Sequence, residues 1–129
     1  MPDDVKVVNA GLAIITNRIK GSGTEPKYIQ WGKSTVAVSS TQTALLNPGT
    51  EARVLATTTR IQTTVAYDTY QAVGTLINGS TASKAITEAG LFDASSAGNM
   101  FLRGKFAAIN LNPSDGIQFT IKTVFASST

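Results

Sequence analysis

The chain has 129 residues, 42% hydrophobic and 15% charged, with a net charge of +3 and neither cysteine nor histidine. That length fits one domain, and the missing residue types exclude a disulfide framework, a thiolate zinc site, a thiol nucleophile and an imidazole base. The basic excess is dispersed, its densest pairs being Arg18 with Lys20 and Arg103 with Lys105, so direct nucleic-acid binding is not expected. The opening MPDDVKVVNAG carries Asp3 and Asp4 where a secretory signal needs basic residues, and no later segment reads as a membrane span. Synthesis and folding in a cytoplasm are the expectation, with no membrane partner. Ser, Thr, Asn and Gln supply polarity in place of charge, which suits strands and turns. A surface poor in charge, against about 25% in ordinary soluble domains, also suits a protein covered by neighbours.

Residues 1–8 read as an N-terminal arm, and 9–129 as the single domain. Asn9 is a candidate N-cap for a helix over Ala10–Lys20, in which Val8, Leu12, Ile15 and Ile19 share one face. Gly11 costs that helix roughly 1 kcal/mol against alanine, and Gly21-Ser22-Gly23 ends it. The helix is expected to plug one open end of a β-sandwich. Gly21-Ser22-Gly23-Thr24 is not a phosphate cradle, because the helix precedes it and a strand follows.

Lys27–Trp31 reads as a short strand after Pro26. Ser34–Thr43 is either a surface loop or an exposed edge strand, and Asn47-Pro48-Gly49 is a turn. Glu51–Tyr67 is one bent strand or two with a bulge, and Tyr70–Ile77 alternates as a strand before the Asn78-Gly79-Ser80 turn. The last forty residues read as a three-strand antiparallel meander: Ile86–Asp93, a turn over 95–99, Met100–Phe106, a turn over Asn110–Gly116, then Ile117–Phe125. In that final strand Ile117, Phe119, Ile121, Thr123 and Phe125 alternate with Gln118, Thr120 and Lys122, the mark of a half-buried strand. About seven strands and one short N-terminal helix predict an all-β fold, an antiparallel sandwich of jelly-roll-like kind.

No catalytic, cofactor-binding or metal-ligating residues are expected, and enzyme activity is not. Glu88 and Asp93 are the nearest thing to paired carboxylates, but five residues along a strand set them on opposite faces roughly 16 Å apart. The serines lack a histidine partner and an elbow motif. Trp31 reads either as an aromatic anchor in an interface or as a core plug whose indole N–H bonds to backbone. Arg103 and Lys105, on the face of their strand with Phe101, read either as a basic patch meeting phosphates or an acidic protein surface or as an ordinary solvated face.

Residues Ile86–Asp93 (ITEAGLFD), Met100–Phe106 (MFLRGKF) and Ile117–Lys122 (IQFTIK), with the opening NAGLAIITNRIKG from Asn9 and YIQWG from Tyr28, resemble small virion proteins of tailed bacteriophages. Two kinds share this style of sequence: capsid decoration or cement proteins, and the amino-terminal or collar module of tail fibres. With no fibre sequence after the last strand, the cement reading is the expected one. The resemblance implies a structural protein on the outer surface of the virion. It would bridge major capsid subunits, or tail and collar proteins in the alternative of a tail, collar or baseplate fitting. It also implies contacts with lattice neighbours or a homo-oligomer, with no cofactor, and with Val5 and Val7 of the arm, Trp31, Arg103 and Lys105 as candidate interface residues. A carbohydrate-binding sandwich module is a more distant alternative, resting on fold analogy alone.

Overall fold

The computed structural model describes residues 4–127. Eight strands and one helix follow in the order β1 (Val5–Val7), α1 (Asn9–Lys20), β2 (Tyr28–Gly32), β3 (Val54–Leu55), β4 (Thr57–Ile61), β5 (Thr69–Ile77), β6 (Lys84–Phe92), β7 (Met100–Leu111) and β8 (Gly116–Val124). They form two antiparallel sheets, β1-β7-β6-β2-β3 and β4-β5-β8. The all-β sandwich with one short helix is therefore as the alternation of apolar and polar residues predicts. The stretch 51–67 divides into two strands that belong to different sheets, with buried Ala56 at the crossing.

The β6–β7 hairpin forms as expected. Asp93 Oδ1 accepts the Asn99 N–H at 2.8 Å, and Gly98 takes a left-handed φ of 67° that a side chain would resist. Arg53 clamps this turn from outside, Nη1 donating to the Ala94 and Ala97 carbonyls at 2.8 Å each while its guanidinium lies 3.7 Å over the Phe92 ring.

The third strand of the expected meander goes elsewhere. β8 does not pair with β7; it crosses to the second sheet and pairs with β5 along its whole length, from Thr69 opposite Val124 to Ile77 opposite Gly116. Two corners tied together decide this. Buried Asn78 donates through its side chain to the Ala82 and Leu111 carbonyls, and its backbone N–H reaches the Asp115 carbonyl at 2.7 Å. The turn after β7 is thus held beside the turn after β5, and β8 starts in line with β5.

The main core lies between the sheets, built on Ile29, Trp31, Ala72, Leu76, Ile86, Leu91 and Leu102. A second cluster, Val8, Leu45, Phe92 and Met100, sits apart from it. A register shift between Ile86 and Glu88 lets Ile86 and Leu91 share the inter-sheet core although they are an odd number of residues apart. It also aims Glu88 at the loop over the other face.

The helix presents a different face from the one its spacing predicts. Gly11 and Ile14 are buried, whereas Leu12 is 56% and Ile19 83% exposed. Gly11 is the reason: a Cβ there would overlap the Phe101 carbonyl oxygen, so the bare glycine lets the helix lie directly on β7. Asn9 is the first helical residue rather than the cap; its N–H is taken by the Ser40 carbonyl at 2.8 Å, and Val8 holds the cap position with no side-chain hydrogen bond. The stop is as expected, with Gly21 at φ 89° and the Ser22 N–H reaching back to the Asn17 carbonyl.

Of the arm, Met1–Asp3 lie outside the described residues. Val5 and Val7 do not stand off the domain as an arm: they form the edge strand β1, opposite Gly104 and Leu102, and Val8 is wholly buried.

Candidate functional site

Residues 33–53 cross one face of the first sheet with no helix or strand of their own. Irregular segments this long in compact domains are usually functional or held by specific contacts. Two carboxylates hold this one. Glu88, fully buried on β6, accepts the backbone N–H groups of Ser34 (3.0 Å), Leu46 (3.2 Å) and Asn47 (2.9 Å) and the Arg103 Nε–H (2.9 Å). Arg103 reaches on through Nη1 to the Val36 carbonyl at 3.0 Å and Gln42 Oε1 at 3.2 Å. Thr87 adds a bond from Oγ1 to the Ser34 carbonyl. The second anchor is Glu51, which takes the Trp31 indole N–H at 2.8 Å, the Gly79 amide at 3.2 Å and Lys84 Nζ at 2.7 Å. Through these contacts the segment becomes a fixed cover rather than a loose loop.

Glu51 makes the fold acid-sensitive. Burial works against its charge, but the bonds from Lys84 and Trp31 win and bring its pKa from 4.5 down to about 2. Because the folded value is the lower one, its contribution is complete above about pH 4.5 and is lost as pH falls towards 2. Glu51→Gln is therefore expected to be less stable than the parent chain at neutral pH, with the gap closing as the pH is lowered from 5 to 2. Urea unfolding midpoints at four or five pH values measure it, and a gap that stays constant would contradict the assignment.

An exposed groove of about 410 Å³ lies between α1 and the end of the second sheet. Its floor and walls are Ile15, Ile19, Pro26, Tyr70, Phe101 and Phe125, and Arg18, Glu25 and Arg60 stand at its rim. An adjoining recess carries it to Tyr67, whose exposed ring stacks under the Arg60 guanidinium at 4.4 Å. Tyr67 sits at φ 61°, a conformation costly for a bulky side chain. Asp68 holds that turn closed, its carboxylate accepting the N–H groups of Thr63, Thr64 and Val65 at 2.8–3.0 Å. Those bonds, led by that from Thr63, keep the Asp68 carboxyl well below the usual range.

Under the rim, Tyr70 Oη lies 2.8 Å from Glu25 Oε2 and 2.7 Å from the Pro26 carbonyl oxygen. Burial, then the Glu25 carboxylate, push the Tyr70 phenol up. For Glu25, burial is outweighed by hydrogen bonds from Thr58 and Tyr70, and its pKa is lowered. A neutral phenol bonded to an ionised carboxylate is a structural pair; neither is poised as a base or nucleophile near neutral pH. The groove has an apolar floor and a rim of two arginines against one glutamate.

The candidates chosen from sequence fare differently. Trp31 and Arg103 have no exposed surface, so neither offers an anchor to a partner. The indole N–H of Trp31 bonds to the Glu51 carboxylate rather than to backbone. The Arg103 face of β7 is not solvated, because residues 33–47 lie over it. Glu88 is likewise no surface charge but half of a buried ion pair. Lys105 is partly exposed and its amide bonds to the Asp4 carbonyl beside Val5 and Val7, so these three lie together at the β1 edge, away from the groove. Sequence reasoning passed over Glu51, Arg60 and Tyr67, which carry no local signature. Glu88 with Arg103 left no better one: the hairpin register sets Glu88 opposite Lys105 and Gly90 opposite Arg103, so the ion pair runs diagonally across the two strands.

Among the described residues, no three His, Cys, Asp or Glu side chains gather as a metal site, and no helix is long and apolar enough to cross a membrane. No family model matches the chain, and no curated protein or solved structure matches it significantly.

Proposed function

We propose that this chain is a non-enzymatic structural protein of a tailed-phage virion, a decoration or cement protein that bridges major capsid subunits on the outer capsid surface after synthesis in the host cytoplasm. The observation that carries the reading is the exposed apolar groove with its arginine rim, set on a sandwich whose longest loop is pinned by the buried Glu88 and the half-buried Glu51. Apolar area ringed by polar groups is the ordinary form of a protein-docking surface. A rigid body loses little conformational entropy on docking, and a symmetric shell repeats each contact at every equivalent position. The resemblance of ITEAGLFD, MFLRGKF and IQFTIK to virion proteins supplies the partner class.

Ile19 is the residue to test, because at 83% exposure its replacement leaves the core alone. Ile19→Glu is expected to fold normally and to lose capsid binding by about tenfold or more, as for an apolar anchor. Undiminished binding would remove the groove from the interface. Copy number in purified virions decides the placement: a simple ratio to the major capsid protein marks a lattice-wide cement protein, and a handful per particle marks a tail, collar or baseplate fitting. Absence from the particle ends the virion reading.

A further inference from the structure

We propose that β8 is a homotypic pairing edge, through which two copies of this chain join their three-stranded sheets into one continuous six-stranded sheet about a two-fold axis at Thr120. The inference does not rest on the virion reading and is tested on the isolated chain.

The sandwich has four sheet edges, and three of them are blunted. β1 has three residues, β3 has two, and β4 has five with Arg60 on it. β8 has nine residues, no proline and an unbroken register with β5, and its other side has no partner strand among the described residues. An edge of that length exposes a row of unpaired N–H and C=O groups, and proteins commonly guard such edges with prolines, bulges or inward-facing charges. Here the sole charge is Lys122. Beside the edge, the space between the sheets opens as an apolar cleft of about 650 Å³, lined by Val5, Leu102, Phe106, Phe119 and Ile121.

The sequence of β8 is self-complementary in one register. Antiparallel pairing centred on Thr120 is the alignment that engages all nine residues. On the exposed face it sets Gln118 opposite Lys122 twice and Thr120 opposite Thr120, so Lys122 never meets its own copy. On the cleft face it sets Phe119 opposite Ile121 twice, an aromatic–β-branched pairing of the favourable kind. Centring on Lys122 instead would oppose two like charges. Of the apolar side chains of β8 that are half-buried in one copy, Phe119 and Ile121 thereby meet each other, and Ile117 meets Thr123. The β7 stretch beyond β1, residues 106–111, is a shorter free edge on the same side, and a dimer built on it would ignore changes at 118.

Analytical ultracentrifugation of the full chain is expected to show a concentration-dependent monomer–dimer equilibrium. Gln118, on the solvent face, can be changed without touching the core. Gln118→Lys opposes two lysine pairs and should raise the dimer Kd about fivefold, while Gln118→Glu creates two ion pairs and should lower it about as much. The chain has no cysteine, so Thr120→Cys places one thiol on the axis; it should form a disulfide-linked dimer far faster than Ser96→Cys, an exposed thiol in the β6–β7 turn. Three results overturn the proposal: a monomer at every concentration, a dimer whose Kd is the same in both Gln118 variants, or equal crosslinking of the two cysteine variants.

Discussion

Glu88→Ala is expected to cost roughly 3–5 kcal/mol of folding stability, the range for breaking a buried ion pair from one side. The replacement leaves the Arg103 guanidinium in the interior with its Nε–H unpaired. It also takes the acceptor from the amides of Ser34, Leu46 and Asn47, of which the buried Ser34 N–H has the least access to water in exchange. The damage should be lopsided. Hydrogen exchange at those three amides should rise by orders of magnitude, while the β5–β8 pairing, remote from the loop, keeps its protection. Replacing both partners, Glu88→Met with Arg103→Met, removes the unpaired charge but not the stranded amides, so it should recover only part of the loss. Urea denaturation with matched m-values gives the energies. A loss below about 1 kcal/mol for Glu88→Ala would mean the loop is held by other contacts.

The second large effect reverses the sign that helix propensity assigns. By propensity alone, Gly11→Ala gains about 1 kcal/mol, since alanine is the better helix former. In the folded chain the new methyl overlaps the Phe101 carbonyl oxygen and lies 2.8 Å from Val7 Cγ1. Backbone cannot step aside as a side chain can, so α1 must lift from β7, loosening Val8 and Ile14 beside it. The expected net result is a loss of about 2 kcal/mol, overpacking outweighing the helical gain. Thermal or urea unfolding decides it, and a stabilised Gly11→Ala would show that the helix stands further off the sheet. Because α1 carries Ile15 and Ile19 into the groove wall, the same variant should also weaken whatever docks there.

Both effects depend on contacts between distant segments, and the same division runs through the fold. The alternation of Ile117, Phe119, Ile121 and Thr123 was enough to make β8 a half-buried strand, and burial follows that alternation. It said nothing of which strand β8 would join. Pairing with β7 was the natural inference from neighbours in sequence, and it failed because Asn78, more than thirty residues upstream of Leu111, ties the two corners together.

The candidate site was less legible still. A groove is made where α1, the end of β4 and the chain after β8 meet, so Ile19, Arg60 and Phe125 share no spacing in sequence. Arg103 and Lys105 looked exposed because period-two alternation assigns a polar face to solvent. It cannot foresee an irregular segment folding over that face and supplying amide donors for Glu88.

The sequence by itself determined the local facts: an all-β sandwich with one short helix, the Gly21 stop, the β6–β7 hairpin, and the lack of cysteine and histidine chemistry. These follow from side-chain period, turn residues and composition, which act within a few residues. The tertiary structure alone decided the partner of β8, the buried face of α1, the ion pair under residues 33–53, and the groove with its arginine rim. Each of these depends on which distant backbone groups arrive to be hydrogen-bonded or packed against, and no local pattern carries that information.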